Sequence, residues 1–257
     1  MGITKELPTV ISFCSGYGGI ERGIELAGVE HRVIAYVEIE AFAIANLVAK
    51  MEAGKLDPAP IWTDLKTFPA HLFRGAVDII TGGYPCQPFS AAGQRKGEDD
   101  PRHLWPTIRE HVKTIRPDRC FFENVEGHIS LGLSSVISDL EEDSYAATWG
   151  IFSAREVGAA HQRKRVYILA DSSSARSQTW LPRQEHREKR YAGKPNNSCN
   201  KQDGRKGCSQ WSVEPRVGRV VDGCADRVDR IRLLGNAVVP QTAAKAWETL
   251  GERNAED

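Results

Sequence analysis

Thr9-Val10-Ile11-Ser12-Phe13-Cys14-Ser15-Gly16-Tyr17-Gly18-Gly19 decides how the rest of the chain is read. Its first six residues are β-branched, apolar or small and suit a buried strand. The three glycines that follow permit a tight turn with positive φ and a close approach of backbone to ligand. Ile20 to Ala27 then reads as a helix that Gly28 can end. A strand, a glycine turn and a helix in that order form the first unit of an open α/β sheet, with the helix N-terminus facing whatever binds the turn.

Working outward, the same alternation continues. His31 to Val37 reads as a strand closing on Glu38, Ile39 and Glu40, and Ala41 to Met51 as a helix. Ile61 to Asp64 is short and ends in an acid, and Val77 to Thr81 is a buried strand. Leu104 to Ile115 fits a helix stopped by Arg116-Pro117, and Arg119 to Val125 a strand that delivers Glu123 and Asn124 at its end. An amphipathic helix over Ile129 to Leu140 and strands over Tyr145 to Phe152 and Arg165 to Ala170 follow. The pattern predicts a mixed, mostly parallel, doubly wound α/β sheet. It fails at about Asp171, and up to Trp211 Ser, Asn, Lys, Arg and Gly dominate without periodicity; order resumes near Val217. Residues 1–170 and 231–257 are therefore expected to form the sheet domain, with 171–230 a small irregular region. Gly235-Asn236-Ala237-Val238-Val239-Pro240 leads into a closing helix from Thr242 to Leu250.

Composition narrows the class. The 257 residues are 40% hydrophobic, enough for a sizeable core, and no apolar run is long enough to span a bilayer. The N-terminus lacks the basic-then-apolar pattern of a signal peptide. Six cysteines without C-x-x-C spacing predict a cytoplasmic protein with reduced thiols and no metal. Net charge is zero, which argues against an indiscriminate nucleic-acid binder. Yet between Ser172 and Glu214 nine basic residues face four acids, so the positive charge is concentrated in the irregular region.

Three constellations carry chemistry. The turn Ser15, Gly16, Gly18 and Gly19 with Glu38, an acid about twenty residues on at the next strand end, suits an adenosine-containing cofactor whose ribose Glu38 receives. The spacing departs from the dinucleotide fingerprint G-x-G-x-x-G. Gly83-Tyr84-Pro85-Cys86-Gln87-Pro88-Phe89-Ser90 places a thiol on a stiff loop after a buried strand. Cys86 with Glu123 gives a nucleophile and an acid from neighbouring strand ends, a covalent-catalysis arrangement; a buried inert cysteine and a surface acid are the bland alternatives. Arg163-Lys164-Arg165 is either a solvated cluster or a set of guanidinium groups that bind phosphate or orient the acid.

These motifs, in this order, resemble the cytosine-C5 DNA methyltransferases. Ser15–Gly19 looks like that family's cofactor loop, with Phe13 near it, Glu38 and Ile39 at the ribose, and Asp64 at the adenine. Pro85-Cys86-Gln87 resembles the nucleophile motif, Glu123-Asn124-Val125 the catalytic glutamate motif, Arg163 and Arg165 the paired arginines, and Asn236 a residue closing the cofactor pocket. The resemblance implies a Rossmann-like S-adenosylmethionine-dependent methyltransferase fold, with Pro85 and Leu104 also at the cofactor and S-adenosylhomocysteine as product. Gln87, Ser90 and Asn124 would touch the substrate, double-stranded DNA. It further implies that Cys86 adds to C6 of a flipped cytosine, that Glu123 stabilises protonated N3, and that Ser90 to Arg102 closes over the base. An ordinary thiol titrates at roughly 8.5, so Cys86 needs local activation. A monomer is expected; whether a cognate restriction endonuclease accompanies it is left open.

Three positions depart from the pattern: Cys14 stands where an aromatic ring stacks on adenine, Ser12 where an acid holds the methionine ammonium, and His161 where glutamine precedes the arginines. An RNA cytosine methyltransferase would share the pocket, but the Cys-Phe-Thr signature of the tRNA-acting relatives is absent. A catalytically idle DNA-binding relative is disfavoured by the filled catalytic positions, and a nicotinamide oxidoreductase by the glycine spacing. The region 171–230 is short for the family's target-recognition segment. It has room for few major-groove contacts, each good bidentate pair discriminating by about 1–3 kcal/mol. A short or relaxed target sequence is therefore expected. Methylation sequencing of DNA from cells expressing the protein reads this directly, and a long, strict motif would refute it.

Overall fold

A computed structural model of the chain describes residues 7–85, 104–173 and 235–256. Cys86, Gln87, Ser90, the 90–102 loop and nearly all of the 171–230 region lie outside the described residues. Seven strands form one sheet: β1 (Thr9–Phe13), β2 (Arg32–Val37), β3 (Ile61–Trp62), β4 (Ile79–Gly82), β5 (Arg119–Val125), β6 (Tyr145–Ser153) and β7 (Lys164–Ser172). Their order is β3-β2-β1-β4-β5-β7-β6. The first five pair in parallel, and β7 runs antiparallel to both β5 and β6. The expected mixed, mostly parallel, doubly wound sheet is what the chain forms.

The α-helices among the described residues are α1 (Gly19–Leu26), α2 (Ala41–Glu52), α3 (Trp105–Ile115), α4 (His128–Leu131), α5 (Leu133–Glu142) and α6 (Pro240–Glu256), with short 3-10 turns at Leu65–Thr67, Ala70–Phe73 and Ala154–Val157. The single amphipathic helix expected over Ile129 to Leu140 is two, because the chain breaks at Gly132. Alternate residues of the buried strands enter different cores. Ile11, Phe13, Ile80, Cys120, Phe122 and Ile168 pack against α3 and α5, while Val10, Ile79, Phe121, Tyr167 and Leu169 pack against α1 and α6. Strand β7 runs two residues beyond the expected end at Ala170. Asp171 stays in the sheet because the buried Arg119 grips it bidentately, Nε to Oδ1 at 2.5 Å and Nη2 to Oδ2 at 2.7 Å. The same guanidinium lies 4.9 Å from the Trp247 ring of α6, and Trp247 meets Phe121 edge-on at 5.2 Å.

Two features of this topology place the site. The chain leaves β1 toward β2 on one side and returns to β4 on the other, so a crevice opens between the carboxyl ends of β1 and β4. The loops Cys14–Gly18 and Gly83–Pro85 leave the sheet there. Because β7 is antiparallel, its start lies where β5 ends, with Val125 paired to Arg165. That register brings the basic cluster to the same edge as Glu123.

Helix α1 is held under the crevice by α6 with no room to spare. A Cβ on Gly23 would sit 2.5 Å from Ala243 Cβ and 2.8 Å from the Pro240 carbonyl oxygen. Helix propensity favours alanine over glycine by about 1 kcal/mol, whereas overpacking costs roughly 1–3 kcal/mol. The clash wins here because backbone cannot yield as a flexible side chain would. Gly23→Ala is expected to lower the thermal or urea midpoint; an unchanged or raised midpoint would show that α6 does not seat on α1 this closely.

Candidate active site

The loop after β1 is bent by three left-handed residues: Cys14 at φ +49°, Gly16 at +56° and Gly18 at +78°. Ser15 pins it to the sheet, its N–H donating to the Val37 carbonyl at 3.2 Å and its hydroxyl to the Ser12 carbonyl at 2.9 Å. Lys50 of α2 clamps it from the other side, donating to the Tyr17 carbonyl at 2.6 Å with its ammonium 4.4 Å from the Tyr17 ring. Glu38 is buried at the end of β2. Its Oε2 accepts from Gly16 N–H at 2.7 Å and its Oε1 from Glu40 N–H at 2.9 Å. Two bonds fix the carboxylate, and the remaining lone pairs are free to receive hydroxyl donors. Open space surrounds the point where a Gly16 Cβ would stand.

Asp64 is half-buried and caps the turn after β3, its Oδ1 accepting from Lys66 N–H at 2.9 Å. Ile39 and Trp62 lie at the ends of neighbouring strands and are 72% and 42% exposed. Exposed apolar side chains at adjacent strand ends are suited to flank a flat ring. Trp62 was not foreseen, although an aromatic residue two positions before Asp64 was a signal in the sequence. Phe13 is among the residues that line the recess beside the glycine loop, and its side chain is turned to the core. Its ring is fully buried, 5.6 Å from both the Phe68 and His111 rings, so it belongs to the core and is not available for stacking on a ligand.

A recess bounded by the Cys14–Tyr17 loop, Gly83 and Asn236–Val238 has Ser12 and Glu21 in its wall. Asn236 thus comes to the crevice from 220 positions along the chain, as expected of a residue that closes it. Ser12 Oγ and Glu21 Oε2 are buried and have no hydrogen-bond partner among the described residues. A glycine-lined crevice with a fixed ribose-type acid and orphaned acceptors in its wall fits a ligand with a sugar and a hydrogen-bond-donating cationic end. S-adenosylmethionine has both.

On the far side of Gly83 lies the chemical edge. Glu123 is 6% exposed at the end of β5. A Cβ on Gly83 would stand 3.5 Å from Glu123 Oε2, so this carboxyl faces the loop that leads through Pro85 into Cys86. Arg165 Nε is 2.8 Å from Oε1 and forms an ion pair with it. Burial raises the Glu123 carboxyl to about 7, against the opposing pull of Arg165 and Arg163. The acid is poised to hold a proton near neutrality.

The supporting residues have separate tasks. Asn124 is buried, and its Nδ2 donates to the Tyr84 carbonyl at 3.2 Å, fastening the end of β5 to the loop before Cys86. The Tyr84 hydroxyl shares a hydrogen bond with His128 Nε2 at 3.2 Å, and its ring packs on Trp105 and Phe122. Leu104, half-buried, precedes α3 and packs against that core. Pro85 is exposed at the loop's edge. Arg163, at φ +36°, donates to the carbonyls of Gly235, at 2.8 Å, and Ala237. It therefore ties the Asn236 segment to the start of β7. Of the two cysteines among the described residues, neither suits a nucleophile: burial pushes the Cys14 thiol up to about 12 and raises that of Cys120 as well.

The comparisons agree with this geometry. Over 166 residues the chain is 31% identical to the Type II methyltransferase M.NgoMIV of Neisseria gonorrhoeae, covering 63% of this chain and 51% of that protein. Over 249 residues it is 26% identical to the Type II methyltransferase M.NaeI of Lentzea aerocolonigenes, covering 94% of this chain and 57% of that one. The chain thus spans about half the length of the curated relatives it matches. Among solved structures, the Dnmt2 methyltransferase of S. pombe superposes with a TM-score of 0.54 at 25% identity, over 64% of this chain and 51% of that chain. A Spodoptera frugiperda DNMT2 mutant shares the fold, with a TM-score of 0.55 at 22% identity over 65% and 50%. Residues 8–211 match the family model for C-5 cytosine-specific DNA methylases, and these include both strand-end loops, Glu123 and the paired arginines. The chain belongs to the C-5 cytosine-specific DNA methylase family.

Proposed function

We propose that this chain transfers a methyl group from S-adenosylmethionine to C5 of cytosine in double-stranded DNA, with Cys86 as nucleophile. The observation that carries the reading is the buried, proton-holding Glu123 facing the loop that ends at Cys86. Cytosine C5 is a weak nucleophile until its ring is activated. The Cys86 thiolate adds to C6 while Glu123 gives its proton to N3, and the C5–C6 π electrons then reside on C5. When bound, the cofactor supplies an electrophilic methyl group on its sulfonium. C5 then loses its proton to a base, Cys86 leaves C6 as thiolate, and N3 returns its proton to Glu123. The cytosine must leave the duplex stack to reach these groups.

The described residues support the individual tasks. Asn124 and the Tyr84–His128 pair hold the approach to Cys86, and Arg165 fixes the rotamer of Glu123. Glu38, Asp64, Ile39 and Trp62 are placed for the adenosine end, and Arg163 holds the Asn236 segment over it. No metal-binding cluster occurs among the described residues, and none of these steps calls on one. No described helix is long and apolar enough to cross a membrane. The region 171–230 is assigned to reading the target. The family model's description favours DNA over the RNA alternative.

Two predictions test this. Expression in a methylation-free host, followed by bisulfite-type sequencing, is expected to show 5-methylcytosine at a recurrent site. Cys86→Ala should abolish the signal, and a wild-type chain that methylates tRNA but not duplex DNA would transfer the assignment to RNA. The second concerns pH. Because the protonated form of Glu123 is the working one, the methyl-transfer rate should fall as pH rises through about 7. Glu123→Gln should remove that inflection and lower the rate by about 10²–10⁴-fold. Stability follows the same sign. The folded value lies above the ordinary 4.5, so the protonated acid stabilises the fold fully below 4.5 and that contribution fades as pH rises through about 7. The difference is of order 3 kcal/mol. Glu123→Gln should flatten this part of the stability profile; a variant that keeps the wild-type slope would assign the titration to another group.

A further inference from the structure

The wall of the cofactor crevice contains a buried acid that the steps above do not use. Glu21 is the third residue of α1 and only 2% exposed, yet it is among the residues that line the recess between the Cys14–Tyr17 loop and Gly83. The Thr81 hydroxyl of β4 donates to Oε1 at 2.5 Å and fixes the carboxylate's orientation. Oε2 is buried and has no partner among the described residues. Ser12 Oγ in the same wall is likewise unpartnered, and so is the hydroxyl of Tyr36, the residue paired with Ser12 across β1 and β2. Lys50, a cation that interacts with Glu21, has its ammonium committed to the Tyr17 carbonyl. A buried carboxylate oxygen left without a donor is a strongly unfavourable arrangement unless something arrives to complete it.

We propose that Glu21 Oε2 receives the α-ammonium of the S-adenosyl ligand and so anchors its amino-acid end. This rests on reading the crevice as the methyl-donor site. The partner that suits a buried carboxylate oxygen best is a hydrogen-bond donor that also carries positive charge, and the recess that Glu21 lines is its way in. The ligand carries two cations, of which the sulfonium has no hydrogen to donate, whereas the ammonium has three. Duplex DNA is excluded as the partner by its own negative charge. The placement also gives the ligand two fixed ends. Glu38 stands at the ribose end of the crevice on β2, and Glu21 stands at the opposite wall below β4. The bound molecule is then held in register along the strand ends. Ser12, which offers only a hydroxyl at the end of β1, leaves the anionic role to the helix.

Calorimetric binding of S-adenosylhomocysteine and of its deaminated analogue, in which hydrogen replaces the α-ammonium, tests the assignment without turnover. With the wild-type chain, removing the ammonium is expected to weaken binding by about 10- to 100-fold, the range of a charge-assisted hydrogen bond. Glu21→Gln should weaken S-adenosylhomocysteine binding by a similar factor and bind both ligands about equally, because the interaction they differ in is gone. Thr81→Val, which removes only the hydroxyl steadying Oε1, should give the same pattern more weakly and serves if the first variant does not fold. A wild-type chain indifferent to the ammonium overturns the proposal. So does a Glu21→Gln chain that still prefers the aminated ligand by the full factor, which would make Glu21 part of an internally hydrated structural cluster. Wild-type binding of neither ligand would remove the methyl-donor reading itself, an outcome distinct from both.

Discussion

Both faces of the central sheet are covered by helices, and this constraint governs where the molecule can do chemistry. Strands β1, β4 and β5 are buried along nearly their whole length, so their side chains must be apolar or internally paired. Polar groups that work on a ligand emerge at the strand ends and at the helix turn that follows β1. The crossing from β3 back to β4 opens the crevice at the carboxyl ends, and the antiparallel β7 contributes its beginning to the same edge. Five segments far apart in sequence thereby meet around Gly83. A fully parallel sheet would have carried Arg163 and Arg165 to the opposite edge.

Within that edge, burial sets the character of each acid. Glu38 receives two backbone N–H bonds and is held as an acceptor. Glu123 is buried with one ion-pair contact, and burial outweighs the two arginines, so its carboxyl is raised to about 7. Glu21 has one short hydrogen bond and one oxygen without a donor among the described residues, in a residue that lines the recess. Three carboxyls within one crevice are thus differentiated by their donors and not by residue type.

The local signals in the chain were strong where neighbours in sequence decide the conformation. Strand β5 over Arg119 to Val125 matches the expected bounds, and the glycine turn after β1 takes the positive φ values its residues invite. Expectations failed where remote packing intervened. The helix expected from Ile129 to Leu140 divides at Gly132, and β7 keeps a charged Asp171 because Arg119, 52 positions earlier, satisfies it. Phe13 is no such failure: it lines the recess beside the glycine loop, while its ring packs beside Phe68 and His111. Glu21 gave no signal. An acid in a helix's first turn reads as a surface residue favoured by the helix dipole.

The sequence by itself determined the order of strand, glycine turn and helix, the stiff loop carrying Cys86, and the identity of the acids and arginines delivered at strand ends. These follow from backbone preference and hydrophobic period, which residues impose on their immediate neighbours. Only the tertiary structure decided that Arg163 serves the Gly235–Ala237 carbonyls, that Asn124 serves the Tyr84 carbonyl, and that Glu123 holds a proton. It also decided that Glu21 is buried with one oxygen unsatisfied. Desolvation and the distance between donors and acceptors are set by what packs around a group, and here those partners come from elements 40 to more than 70 residues away.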